Sequence, residues 1–173
     1  MNKKIMYIVT ILSTALLLFL DQIAKYLAVL HLKGQDAIPI IKNVFELQYL
    51  ENQGAAFGIM QGKKTLFVIG TLIFLVIVVI LYHNIPLTKR FTPIRIVAVL
   101  IVAGAIGNMI DRVVHQYVID FFYFKLINFP IFNVADIYVV VACILFILLM
   151  LFYYKEEELG QIFPFMKSKK AEE

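Results

Sequence analysis

The sequence predicts a four-span membrane protein, all-α within the bilayer and carrying a small β-sheet on one side of it. Hydrophobic residues make up 62% of the 173 residues and charged residues only 16%, with a mean hydropathy of +0.88. A soluble domain needs roughly a quarter of its residues charged. Four stretches approach the roughly 20 apolar residues that cross a bilayer. One connection alternates instead with the two-residue period of a half-buried strand.

The first apolar stretch follows Lys3 and Lys4 and is interrupted by Asp21, Gln22 and Lys25. It ends without a small-residue cleavage site, so it reads as a retained span over 5–26 rather than as a removable leader. In the connection 31–64, Phe45, Leu47 and Tyr49 alternate with Glu46, Gln48 and Leu50, which predicts a strand in a small sheet lying on the membrane. The second and third spans cover 66–82 and 94–111. In the third, Gly104 and Gly107 stand among Ala103 and Ala105, small residues that read as close helix packing rather than as a phosphate loop. The connection 113–133 carries Tyr117, Phe121, Phe122, Tyr123, Phe124, Phe129 and Phe132, the residue types that settle at headgroup level. The fourth span covers 137–154, and the tail 155–173, with its Glu156-Glu157-Glu158 run and Lys-rich end, reads as solvated and without chemistry. With no internal repeat or low-complexity linker, residues 1–173 form one domain.

Lysines and arginines near the span ends set orientation. Lys3, Lys4, Lys89, Arg90, Arg95, Lys155, Lys167, Lys169 and Lys170 fall on the side of the termini, nine in all. Six, Lys33, Lys42, Lys63, Lys64, Arg112 and Lys125, fall on the other, over longer connections. Both termini are therefore expected in the cytoplasm. The net charge of +4 does not point to nucleic acid, because the basic residues form no stripe. The single Cys143 excludes an intramolecular disulfide, and one Cys with three scattered His residues gives no metal-ligand spacing.

With that orientation, Asp21 and Lys25, then Asn108, Asp111 and Arg112, then Asn133 and Asp136 all fall at the outer boundary, joined by Glu51, Asn52 and Asp120 from the connections. Polar residues at membrane depth are costly, so their convergence marks a functional site. Asp21 and Lys25, four apart, either neutralise each other at a helix end or support the site. Asn108, Asp111 and Arg112 share one helix face, where Asp111 and Arg112 either pair internally or hold a neighbouring loop. Asp120 and Asp136 stand apart from these acids, since neither has a cation within four residues. Two carboxylates brought together in a partly desolvated site do not both ionise cheaply, so one can activate water while the other protonates a leaving amine. The structural alternative is that Asp136 caps the fourth helix and Asp120 faces water. A proton-coupled transporter and an assembly factor are the rival functions; the first is disfavoured because the second and fourth spans hold no ionisable residue at their centres.

Four segments carry a family resemblance: Asp21-Gln22-Ile23-Ala24-Lys25; Asn52-Gln53-Gly54-Ala55-Ala56-Phe57; Gly107-Asn108-Met109-Ile110-Asp111-Arg112 followed by Val118-Ile119-Asp120-Phe121; and Phe132-Asn133-Val134-Ala135-Asp136. Each alone is weakly specific. In this order and in a chain of this length, they resemble the lipoprotein signal peptidases, also called signal peptidase II. The resemblance implies a membrane four-helix bundle with an extracytoplasmic β-cradle, in a bacterial cytoplasmic membrane, with its active site at the outer face. It implies an aspartyl endopeptidase that removes the signal peptide of diacylglyceryl-modified prolipoproteins just before the lipidated cysteine. The implied catalytic pair is Asp120 and Asp136, supported by Asp21, Lys25, Asn52, Gly54, Asn108, Asp111, Arg112, Asn133 and Ala135. It also implies no metal or organic cofactor. The implied partners are the lipid-modified substrate, membrane lipids and the cyclic peptide inhibitor globomycin.

Overall fold

A computed structural model describes residues 2–54 and 64–163. Four helices in it are long and apolar enough to cross a membrane. Helix α1 runs Lys3–Leu32, α2 Lys64–Asn84 and α3 Thr92–Val114. Helix α4 runs Val134–Leu148 and is continued by a π-helical turn, Leu149–Tyr153. The large aliphatic side chains on their outer faces, such as Leu12, Leu16, Val76 and Ile144, are about half exposed or more, as lipid contact requires. Helix α3 packs against α1, α2 and α4 and is the most buried of the four.

Close approach of α3 to α4 depends on glycine. A Cβ at Gly104 would stand 2.5 Å from the Ala135 carbonyl oxygen and 2.7 Å from a Val139 methyl, and one at Gly107 would stand 2.6 Å from an Asp21 carboxyl oxygen. The small residues read from the sequence are thus packing residues.

Between the spans lies a three-stranded antiparallel sheet in the order β1 (Ile38–Ile41), β2 (Phe45–Asn52), β3 (Val118–Tyr123). The expected strand is β2; β1 and β3 join it. Phe45, Leu47 and Tyr49 are half-buried, but Glu46 is buried too, because Lys125 reaches it at 2.8 Å. Leu50 pairs with Asp120 and Asn52 with Val118, beyond an irregularity between Leu47 and Leu50. Residues 50 and 52 lie two apart on one face of β2, so Asn52 and Asp120 become diagonal neighbours across the ladder.

Three expectations are corrected. Helix α1 does not end near residue 26 but continues to Leu32, because the charge of Lys25 is paired rather than released to water. The aromatic connection is not simply laid on the membrane: Phe121 is buried with Ala28, Leu32 and Ile119 beneath the sheet. The tail is not simply solvated. Glu156–Ile162 form helix α5, whose Leu159 and Ile162 are buried with Phe91, Ile94 and Tyr154 at the opposite end of the spans. Arg90 holds α5 there, reaching both Glu158 oxygens at 2.8 and 3.1 Å and lying over the Tyr153 ring at 3.8 Å. Positions 167, 169 and 170, used to orient the chain, lie outside the described residues, as do Lys63 and positions 55–57 of the second segment.

Candidate active site

Asp120 sits in the middle of β3, 2% exposed. Its Oδ1 accepts from Asn133 Nδ2 at 2.6 Å and its Oδ2 from Asn52 Nδ2 at 2.9 Å. Asp136 lies in the first turn of α4, where Asn133 is the N-cap. Asn133 Oδ1 accepts the Asp136 N–H at 3.0 Å, and Asp136 Oδ2 accepts the Asn133 N–H at 3.0 Å, a reciprocal capping box. The capping alternative for Asp136 is therefore real, and it leaves Asp136 Oδ1 for Asn108 Nδ2 at 2.7 Å.

Each amide has one possible orientation in this network. Asn108 Oδ1 receives Lys25 Nζ and Asn133 Nδ2, both at 3.0 Å, so its nitrogen must face Asp136. Asn52 Oδ1 accepts the Gly54 N–H at 3.0 Å, which turns its nitrogen to Asp120. The backbone sets the spacing: Phe132 exchanges hydrogen bonds with Phe122 at 2.9 and 3.0 Å, so β3 fixes the entry of the chain into α4.

Behind this layer lies a buried ion triad. Lys25 Nζ stands 2.9 Å from Asp21 Oδ2 and 2.8 Å from Asp111 Oδ2, so its three N–H bonds are used by two carboxylates and Asn108. Asp21 Oδ1 accepts the Ala135 N–H at 2.9 Å and Asp111 Oδ2 the Ile119 N–H at 3.2 Å. The triad thus ties down the chain next to Asp136 and next to Asp120. Asp21 and Lys25 do pair, as one alternative held, but inside the protein and with a third member.

Asp111 and Arg112 do not pair with each other. Arg112 donates to the carbonyls of Asn108 and Gly54, both at 3.3 Å, and lies over the Phe67 ring at 4.7 Å. Holding a neighbouring segment is the alternative the structure favours for both.

All eleven expected site residues come together. The cavity separates them into two kinds. A cleft of about 630 Å³ is lined at its polar end by Asn52, Asn108, Arg112, Asp120 and Asp136, and along its apolar wall by Phe124, Phe129, Phe132 and Val140. Asp21 and Asp111 do not line it. Of the four acids, only Asp120 and Asp136 face a space that a ligand can enter. Glu51 stands apart, paired with Lys33 at 2.7 Å on the exposed side of the sheet.

Burial raises the Asp120 carboxyl from its ordinary 3.8 to about 7. The charge of Asp136 pushes the same way, against the amide donors of Asn52 and Asn133. Gln22, marked in the sequence as an interruption of the first span but not as a site residue, donates to Asp111 at 3.1 Å and to Asp21 at 3.2 Å; a glutamine inside an apolar span is the signal for it. Among the described residues, no group of three or more His, Cys, Asp or Glu side chains is arranged to hold a metal ion.

The family model for signal peptidase (SPase) II matches residues 13–152, a stretch that contains every residue of this site. The chain belongs to the signal peptidase II family. Relatives named lipoprotein signal peptidase include that of Clostridium novyi (strain NT), 44% identical over 74% of this chain and 87% of the relative. That of Streptococcus pyogenes serotype M5 (strain Manfredo) is 38% identical over 87% of this chain and 95% of its own length. A bacterial membrane enzyme structure obtained by the in meso method at 2.3 Å resolution superposes with a TM-score of 0.74 at 33% identity, covering 83% of this chain and 87% of that one. A second, at 1.9 Å, gives 0.72 at 32% identity over 84% and 94%. The chain is accordingly an integral membrane protease of the aspartic type that removes the signal peptide from prolipoproteins.

Proposed function

We propose that Asp120 and Asp136 are the catalytic pair of this peptidase. The observation that carries this reading is that only these two of the four clustered acids face the cleft, each held by amide donors on both oxygens. One proton serves the pair. One carboxylate takes a proton from water as its oxygen attacks the scissile carbonyl carbon, and the protonated partner hydrogen-bonds the developing oxyanion. As the C–N bond breaks, a proton passes to the departing amine of the lipidated cysteine, and the signal peptide leaves with a new carboxyl group. The position of Asp120 near 7 suits it to hold that proton at neutral pH. Asn52, Asn108 and Asn133 fix the carboxyl groups, the Asp21–Lys25–Asp111 triad fixes the chain that bears them, and Arg112 with Gly54 holds the rim.

The substrate in this reading is a diacylglyceryl-modified prolipoprotein cut before its lipidated cysteine. Its lipid tails stay in the bilayer while the apolar wall of the cleft receives its signal helix. The spans form a four-helix bundle with the sheet as an extracytoplasmic β-cradle. Both termini are cytoplasmic and the cleft opens at the outer face of a bacterial cytoplasmic membrane. The nine-to-six bias of Lys and Arg supports this orientation. A globomycin-type cyclic peptide occupies the cleft in competition with substrate.

The test is cleavage of a purified diacylglyceryl-modified prolipoprotein in detergent, with and without globomycin, by wild type, Asp120→Asn and Asp136→Asn. The expected result is globomycin-sensitive release of the signal peptide that both substitutions abolish in folded protein. Near-native turnover by either variant would remove that residue from the pair.

A further inference from the structure

The aromatic wall of the cleft is carried by a segment with little packing of its own. Phe124 and Phe129 flank a single 3-10 turn, Lys125–Ile127, none of whose residues is buried. Leu126 and Ile127 are 69% and 68% exposed. The turn is closed on itself: the Phe129 N–H donates to the Phe124 carbonyl and the Asn128 N–H to that of Lys125, both at 3.1 Å, and the Tyr123 hydroxyl donates to Asn128 Oδ1 at 2.8 Å. These bonds give the turn its shape but do not fix where it sits.

Its place on the sheet is set by Lys125, whose Nζ reaches Glu46 Oε1 of β2 at 2.8 Å. Beside that pair stand only weaker ties to β2 and its approach, a Leu126 N–H to Val44 carbonyl bond of 3.4 Å and the Phe45 and Phe124 rings at 4.9 Å. The two halves of the pair differ. The Glu46 side chain is 9% exposed and that of Lys125 is 48% exposed. Among the described residues, Glu46 forms no other ion pair. A buried carboxylate is costly, and an apolar residue of similar volume serves the stability of a fold as well or better. The acid is therefore a fixed anchor in the sheet, and the lysine is the tether that brings the turn to it. Neither side chain lines the cleft, whereas Phe124 and Phe129 do. Both rings also contact that of Phe132, at 5.7 and 5.8 Å, so the whole wall moves with the turn.

We propose that Glu46 and Lys125 are positioning residues for substrate, their ion pair setting the aromatic wall where it grips the apolar signal helix. The inference rests on the reading of the cleft as the prolipoprotein site and adds what fixes its affinity. The pair acts on binding and not on bond breaking, because Asp120 and Asp136 are held separately by the amides of Asn52, Asn133 and Asn108.

The test is steady-state cleavage of a diacylglyceryl-modified prolipoprotein by the full-length enzyme in detergent, with the unfolding midpoint measured on each variant. Glu46→Leu, Lys125→Gln and the double variant are compared with wild type. Each is expected to raise KM about fivefold, the upper end of what a half-exposed ion pair contributes, with kcat near wild type, the mark of lost uniform binding. The double variant is expected to be no worse than either single. Glu46→Leu, which leaves no buried charge, is expected to keep or raise the unfolding midpoint, so its KM loss is not a loss of fold. Lys33→Gln, which breaks the exposed Lys33–Glu51 pair elsewhere on the sheet, is the control and should leave KM unchanged. An unchanged KM in the double variant would overturn the inference while wild-type cleavage upheld the reading of the cleft. Single effects that multiply in the double would show two independent contacts and overturn the pairing, and a fall in kcat in place of a rise in KM would overturn the role in binding. Failure of the wild type itself to cleave would sink the reading of the cleft, and this inference with it.

Discussion

Asn133 donates its Nδ2 to Asp120 at 2.6 Å while its Oδ1 caps the helix whose first turn carries Asp136. One side chain therefore fixes the distance between two acids that lie on different elements.

Separating its two roles gives the first prediction. Serine is as good an N-cap as asparagine but is too short to reach Asp120. Asn133→Ser is expected to unfold within about 1 kcal/mol of wild type while cleavage falls about 10-fold, the worth of a hydrogen bond to a neutral carboxyl. Thermal unfolding in detergent and initial cleavage rates check this; equal losses in both would make Asn133 a cap alone.

The Asp120 carboxyl gives the second. Its value is about 7 when folded against 3.8 ordinarily, so the folded state binds its proton more tightly. That contribution to stability is complete below about pH 3.8 and is lost as pH rises toward 7. Asp120→Asn, which cannot ionise, is expected to gain stability over wild type as pH rises from 4 to 8, with the gain levelling off above about 7. Cleavage by wild type should decline on the alkaline side with an apparent midpoint near 7. Asn52→Ala, lacking a donor that favours the ionised form, should move that midpoint upward in a pH–rate profile.

Lys25 neutralises two buried carboxylates at once. Lys25→Met leaves both uncompensated and is expected to cost about 3–5 kcal/mol, read as a fall in the unfolding midpoint. A variant that also carries Asp21→Asn and Asp111→Asn should recover most of that loss without recovering cleavage, because Asn108 would lack its charged donor.

At the α3–α4 contact, Gly104→Ala puts a methyl 2.5 Å from the Ala135 carbonyl. The helices must separate, at about 1–3 kcal/mol. Asn108 and Asp136 lie on the two sides of that contact, so cleavage is expected to fall more than stability does. Gly70→Ala, where a Cβ meets nothing within 4 Å, is the control and should leave both unchanged.

Truncation after residue 155 removes α5 and with it the buried side chains of Leu159 and Ile162. At roughly 1.5–3 kcal/mol each, their loss should lower stability by about 3–6 kcal/mol. The unfolding midpoint of the truncated protein checks it.

The sequence showed the spans because hydrophobic runs of membrane length have few other meanings, and it showed β2 because its alternation breaks that pattern. It did not show β3 as a strand. Val118-Ile119-Asp120-Phe121 is buried on both faces, so its pattern carries no period to read. The convergence of polar residues followed from depth alone, and the separation of Asp120 and Asp136 from the other two acids followed from their lack of a nearby cation in the sequence; the direction in which each acid faces did not. Asp21 and Asp111 face Lys25, and Asp120 and Asp136 face the cleft, a distinction made by side-chain direction and by contacts 90 or more residues apart for pairs such as Asp21 and Ala135. The charged run at 156–158 concealed α5, since Leu159 and Ile162 are too few to signal a buried face.

The fixed amides around the cleft also bear on how an antibiotic aimed at it would fare. A compound gripping Asp120, Asp136 and their asparagine partners holds atoms already engaged in a helix cap, a turn and an ion network. Substitutions that loosen a ligand there also disturb those bonds, whereas Phe124, Phe129 and Val140 along the apolar wall take no part in that hydrogen-bond network.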